Sequence, residues 1–159
     1  METGRLIANQ IECFATLYKN PFLFAPILPT FYSELGQKDR SILLSYLVLP
    51  LLLAEPSRTV LSRLNKNSSL RTFVERRECF FGLGQRIASY RNLTNILLQY
   101  NLDMKWLIAS HNATVVSGGA LIEPGVCRPD MLRAAARLGR ILSPHAIPVI
   151  YLQLGIKKL

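Results

Sequence analysis

Acidic side chains and histidines are scarce in this chain. Ten aspartates and glutamates and two histidines, His111 and His145, are spread over 159 residues, a thin supply for a site in which acids, bases or nucleophiles must converge. No His or Cys spacing resembles a zinc site. We therefore assign no catalytic residue, metal ligand or cofactor, and read the chain as something other than an enzyme. His111 in a turn and His145 in a helix first turn suit surface or capping roles. Cysteine is sparse too. Cys13, Cys79 and Cys127 are far apart, odd in number and form no Cys-x-x-Cys pair, which argues against a disulfide scaffold and suits a reducing, cytoplasmic setting. No apolar run reaches the ~20 residues that span a bilayer. The strongest, Ser41 to Ala54, runs for about fourteen residues with Pro50 inside it. The stretch from Asn20 to Tyr32 is broken by Pro21, Pro26 and Pro29. Both read as segments buried in protein, so no membrane role is expected. Residues 1–10 lack the apolar core of a secretory signal.

What the chain does have is apolar residues and positive charge. Half of it is hydrophobic, mean hydropathy is +0.22, and 19 Lys and Arg give a formal charge of +9. The apolar excess suits a subunit that covers part of its surface with a partner, and the charge suits an anionic neighbour, either nucleic acid or an acidic protein face. The length suits a single folded unit.

Periodicity predicts a mainly α fold, a compact helical domain with a small β-hairpin, in three parts: a helical region over 1–64, a winged helix-turn-helix-like region over 65–122, and C-terminal helices over 130–155. In the first part, Ile7, Ile11, Phe14, Leu17 and Tyr18 recur at helical spacing. Apolar helical segments follow between Phe22 and Leu35, closed by Gly36, and from Ser41 to Ala54. Glu55-Pro-Ser57 reads as a break before a short amphipathic piece from Thr59 to Leu64. In the second part, the polar loop Asn65 to Ser69 carries an N-cap, and short helices are expected around Leu70 to Val74, Phe80 to Tyr90 and Leu93 to Tyr100, with a capped junction at Arg91-Asn92. Met104 to Ala109 and Thr114 to Val116 read as two strands about a turn. In the third, Asp130 is the expected N-cap of an amphipathic helix from Met131 to Leu142, and Ser143-Pro144 restarts a helix that ends at Gly155.

Two glycine motifs carry no chemistry. Gly82-Leu-Gly84 lacks a preceding strand, a third glycine and a Gly-Lys-Ser/Thr, and reads as a loosened helix start or a close backbone contact. Ser117-Gly-Gly119 lacks the setting of a nucleophile elbow. The basic residues remain: Arg58, Arg63, Lys66, Arg71, Arg76, Arg77, Arg86 and Arg91 face only Glu75 and Glu78 between positions 58 and 91. A recognition helix at Leu93 to Tyr100 would offer a base only Thr94, Asn95 and Gln99. Phosphate contact by Arg86, Arg91 and Lys105 is therefore favoured over base reading, and protein binding over both. The expected phosphate or partner contacts are Arg76, Arg77, Arg86, Arg91, Lys105, Arg133, Arg137 and Arg140.

Three blocks of sequence add a family resemblance. Arg137-Leu-Gly-Arg140, Ser143-Pro144 and Ile150-Tyr-Leu-Gln-Leu-Gly-Ile156 resemble the closing signature of the middle component of bacterial three-component ABC systems, with its Leu-Gly-Arg-like turn. Tyr18-Lys-Asn-Pro-Phe22 and the run Tyr46 to Leu53 with Pro56-Ser-Arg58 resemble two further blocks, in the same order. Ile141 and Pro148 depart from the pattern, and residues 101–125 show no match. The resemblance implies an adaptor between an SMC-like ABC ATPase and an effector subunit such as a nuclease, in Lamassu-like defence against phage or plasmids. DNA would be met through the complex. The competing reading is a stand-alone winged-helix DNA-binding protein.

Overall fold

The computed structural model describes residues 21–120, 122 and 127–157. The predicted helix ending at Tyr18, Cys13, and most of the loop that begins at Glu123 lie outside the described residues. A 3-10 turn at Pro21–Phe24 leads into α1 (Ile27–Leu35), and a second at Ser41–Leu44 runs into α2 (Ser45–Leu53), followed by α3 (Glu55–Arg63) and α4 (Leu70–Val74). A third 3-10 turn, Arg77–Phe80, precedes α5 (Leu83–Asp103). Strands β1 (Leu107–Ser110) and β2 (Thr114–Ser117) flank the turn His111–Ala113, and α6 (Pro129–Leu142) and α7 (Ile147–Gln153) complete the chain. The mainly α class with one small hairpin is as expected.

Helix α2 lies at the centre. Leu47 to Leu52 are all buried, and α1, α3, α5 and α6 pack around it. A helix so enclosed must satisfy its last four carbonyls without water, and side chains do this one by one. Arg86 Nη1 donates to the Pro50 carbonyl at 2.5 Å, Ser57 Oγ to that of Leu51, and Arg58 Nη1 to those of Leu52 and Leu53 at 3.1 and 3.4 Å. This explains Pro56-Ser-Arg58 physically. Pro56 starts α3 in its first turn, where no N–H is required, and the next two side chains reach back across a 99° bend to close α2. The segment expected to be a break is therefore the first turn of α3. Among the described residues no single helix is long and apolar enough to cross a membrane.

Helices α1 and α6 form the closest pair, and Gly139 sits at their contact. A Cβ there would overlap the Phe31 carbonyl oxygen and stand 3.2 Å from the Leu35 nitrogen. Buried Ala135, one turn earlier, keeps the same face thin. Arg137-Leu-Gly-Arg140 lie inside α6, as the helical reading of Met131 to Leu142 expects, and the glycine serves helix packing instead of the turn in the family signature. Both helix ends are tied across the pair. Ser143 Oγ donates to the Leu35 carbonyl at 2.8 Å, and Lys38 Nζ to those of Ser143 and His145 at 2.9 and 2.5 Å.

Strand β2 keeps its predicted bounds to within a residue, whereas β1 starts at Leu107, three residues later than expected, because Met104 caps α5 and Lys105 turns at φ +60°; Ile108 stands opposite Val116 and Ala109 opposite Val115. Its turn holds Asn112 and Ala113 at positive φ. Gly118 packs against the Lys105 carbonyl too tightly for a Cβ. Ser41 Oγ bonds both the N–H and the C=O of Val115, at 2.8 and 3.0 Å, and so occupies the outer edge of β2.

Three helix boundaries differ from expectation. The break at Arg91-Asn92 is absent: α5 is one 21-residue helix, because Leu83, Ile87, Leu93, Thr94, Leu97, Leu98 and Asn101 form one buried stripe through that point. No helix-turn-helix exists between residues 80 and 100. Asp130 is not an N-cap; α6 begins at Pro129, and the Asp130 carboxylate in its first turn pairs with Arg128 at 2.8 Å and Arg58 at 3.4 Å. Finally, α7 begins at Ile147, with Pro148 rather than Pro144 in its first turn. Ser69, as expected, caps α4 by accepting from the Thr72 N–H at 3.4 Å.

Cys79 and Cys127 are buried and free. Burial, with Glu78 and Asp130 respectively as neighbouring charges, pushes both thiols from 9.0 up to about 11. In a Cys13→Ser background both should react slowly with Ellman's reagent at neutral pH and rapidly in denaturant. Because the folded thiols hold their protons more tightly than the unfolded ones, their contribution to stability is complete below pH 9 and is lost as pH rises through about 11. Chemical denaturation across that window should show a falling midpoint, and rapid labelling of the folded protein would contradict the burial.

Candidate partner-docking surface

The eight expected contact residues fall into two groups. Arg76 before the third 3-10 turn, Arg77 at its start, Arg91 on α5, Lys105 after that helix and Arg133 on α6 are exposed. Arg86 and Arg137 are partly buried and engaged within the fold, while Arg140, exposed like the first group, is held in a surface ion pair. Arg86 binds Pro50 and also the Cys79 carbonyl at 2.8 Å, and burial lowers its pKa from the usual guanidinium value. Arg137 Nη1 reaches the Leu61 carbonyl at 3.5 Å, and Arg140 pairs with Glu34 at 3.5 Å. The expectation that Arg86 serves as an external phosphate contact therefore gives way to its use as an internal tie. The exposed members do not form one cluster by helix geometry alone, since Arg91 and Lys105 stand at separations of about 21 Å along the axis direction of α5.

The residues proposed for base reading are also employed internally. Thr94 is buried, the Asn95 Oδ1 accepts from the Tyr46 hydroxyl at 2.7 Å, and Gln99 Nε2 donates to Asp103 at 2.8 Å. Helix α5 is a core helix packed against α2 and the first 3-10 turn. Its solvent face offers few long polar side chains, with Gln85, Arg91 and Gln99 set among short or apolar ones such as Ala88, Ser89 and Ile96.

His111 is exposed in the hairpin turn, and His145 is half-buried before α7. No group of three or more His, Cys, Asp or Glu among the described residues is placed to hold a metal ion. A hollow of about 540 Å³ beside the hairpin turn is lined by Asp39, Arg40, Ile42, Leu43, Asn112 and Ala113. Neither histidine lines it.

The apolar surface is more informative. Phe81 is 90 % exposed and Leu152 79 %. Phe80 turns inward to meet Phe73 edge-on at 5.0 Å between ring centroids, and its neighbour Phe81 is exposed on the turn before α5, where Gly82 reaches φ +64° without strain. In α7, Ile147, Ile150 and Tyr151 face the core, with the Tyr151 hydroxyl donating to the Leu43 carbonyl at 2.6 Å, while Val149 and Leu152 face out. Between α4 and the end of α7 lies an open groove of about 510 Å³, lined by Arg71, Val74, Glu75, Arg77 and Gln153. Of these lining residues only Arg77 was expected as a contact. Adjacent Phe80-Phe81 was no usable signal by itself, since α1 buries its own consecutive aromatics Phe31 and Tyr32; the groove joins segments nearly eighty positions apart and left no local mark.

No curated protein and no solved structure matches the chain. One family model does, over residues 8–158, and its extent takes in every element described above. The chain belongs to the family described as ABC-three component (ABC-3C) system Middle Component 3.

Proposed function

We propose that this chain is a non-catalytic adaptor that bridges an SMC-like ABC ATPase and a nuclease-like effector in cytoplasmic defence against phage or plasmids. The family supports a role within a multi-component ABC system. The observation that carries the bridging role is the presence of large apolar side chains, Phe81 and Leu152, exposed on the surface of this chain, as a patch that partners cover requires. Co-purification of the chain with the co-encoded ATPase and third subunit tests this directly. The expected result is that the ATPase and the third subunit co-elute only when the chain is present. Direct association of those two without it would overturn the bridge.

The absence of a catalytic role has its own test. Changing His111→Ala or His145→Ala should leave the activity of the assembled system unchanged, since the Lys38 contact at His145 uses its backbone carbonyl rather than its ring. DNA contact belongs to the complex in this reading. Arg91→Glu with Lys105→Glu should weaken DNA retention by the assembled complex and flatten its salt dependence, while the isolated chain shows little DNA binding at physiological salt.

A further inference from the structure

We propose that the groove between α4 and the end of α7 is the docking site for an acidic amphipathic segment of a protein partner. This rests on the adaptor reading and adds to it a location and a chemistry. The groove is lined by Val74 with Arg71, Glu75, Arg77 and Gln153, long side chains that carry apolar stems as well as polar ends, and Leu152 stands exposed beside Gln153 on α7. A volume of about 510 Å³ admits a few apolar side chains of an inserted segment.

Charge selects the occupant. Arg71 and Arg77 line the groove against Glu75, and Arg63, Lys66 and Arg76, nearby in the chain, are exposed as well, against Glu78. Arg71 and Glu75 approach each other at 3.6 Å, but their side chains are 89 % and 67 % exposed, so this pair leaves both groups open to a partner and contributes little by itself. A phosphate backbone would satisfy the arginines and leave Val74 and Leu152 uncovered. A protein segment with apolar residues on one face and Asp or Glu on its flanks satisfies both sets.

The test uses the full chain with the ATPase and third subunit encoded beside it. Affinities of Leu152→Glu and Arg77→Glu are compared with those of the wild type and of His111→Glu on the hairpin turn. All three positions are exposed, so thermal melts should coincide. Leu152→Glu and Arg77→Glu should each weaken binding of one subunit about tenfold or more, with His111→Glu near wild type for that subunit. If the complex forms and the groove variants bind as the wild type does, the groove assignment is wrong and the adaptor reading stands. If the groove variants lose DNA binding and keep subunit binding, the occupant is nucleic acid and the proposal is overturned. If the wild-type chain binds neither subunit, the adaptor reading falls and takes this one with it.

Discussion

Gly139→Ala lowers the stability of the fold by about 2–3 kcal/mol, near the upper end of the usual cost of overpacking a tight contact. For a chain of this size that corresponds to a fall in Tm of roughly 4–12 °C. The sign is opposite to the ordinary behaviour of a glycine inside a helix, where alanine is better by about 1 kcal/mol. The obstacle is the Phe31 carbonyl oxygen and the Leu35 nitrogen of α1, and backbone cannot turn aside as a side chain can. Helices α1 and α6 must separate along their whole contact, loosening Phe31, Leu35, Leu138 and Leu142, all buried. Gly84→Ala is the matched control. It lies in α5 with nothing within 4 Å of an added Cβ, and should raise stability by a few tenths to about 1 kcal/mol. A neutral or stabilising Gly139→Ala, measured by urea denaturation, would refute the close crossing.

Arg86→Met should cost about 2–4 kcal/mol, from two carbonyls left without donors at about 1–3 kcal/mol each, partly offset by removing a desolvated charge. Methionine keeps the volume of the stem, so the loss reports the bonds to Pro50 and Cys79 rather than a cavity. Arg86→Lys should fall between, because one ammonium cannot span two carbonyls as a planar fork does. Arg91→Met, exposed on the same helix, should change stability by less than about 0.5 kcal/mol. If the Arg86 and Arg91 substitutions are equally mild, Arg86 is not the tie that closes α2, and its place among the external contacts must be reconsidered.

The local signals and the tertiary facts separate along physical lines. Gly36 closes α1 at φ +75°, Ser69 caps α4 and the strands pair about residues 111–113, each as its own few residues dictate. The junction at Arg91-Asn92 fails for an equally clear reason: exposed polar residues sit comfortably on the outer face of a continuous helix, and only the buried stripe through Leu93 and Leu97 shows that the helix runs on. Among the expected contacts, charge counted Arg86, Arg137 and Arg140 together with Arg91 and Arg133, because a formal charge carries no information on which carbonyl or carboxylate lies opposite it.

By itself the sequence determined the helical class, the hairpin and the scarcity of acid–base groups, all of which are matters of periodicity and composition. Its blocks of Pro, Gly and apolar residues also pointed to the middle-component family that the match over 8–158 shows. The tertiary structure alone decided that Pro56-Ser-Arg58 and Arg86 close the central helix, that Gly139 is a crossing point rather than a turn, and that Arg71, Val74, Arg77 and Gln153 share one groove. Each of these depends on groups brought together by packing from distant positions, and the distance between them in space is set by the whole core rather than by any neighbouring residue.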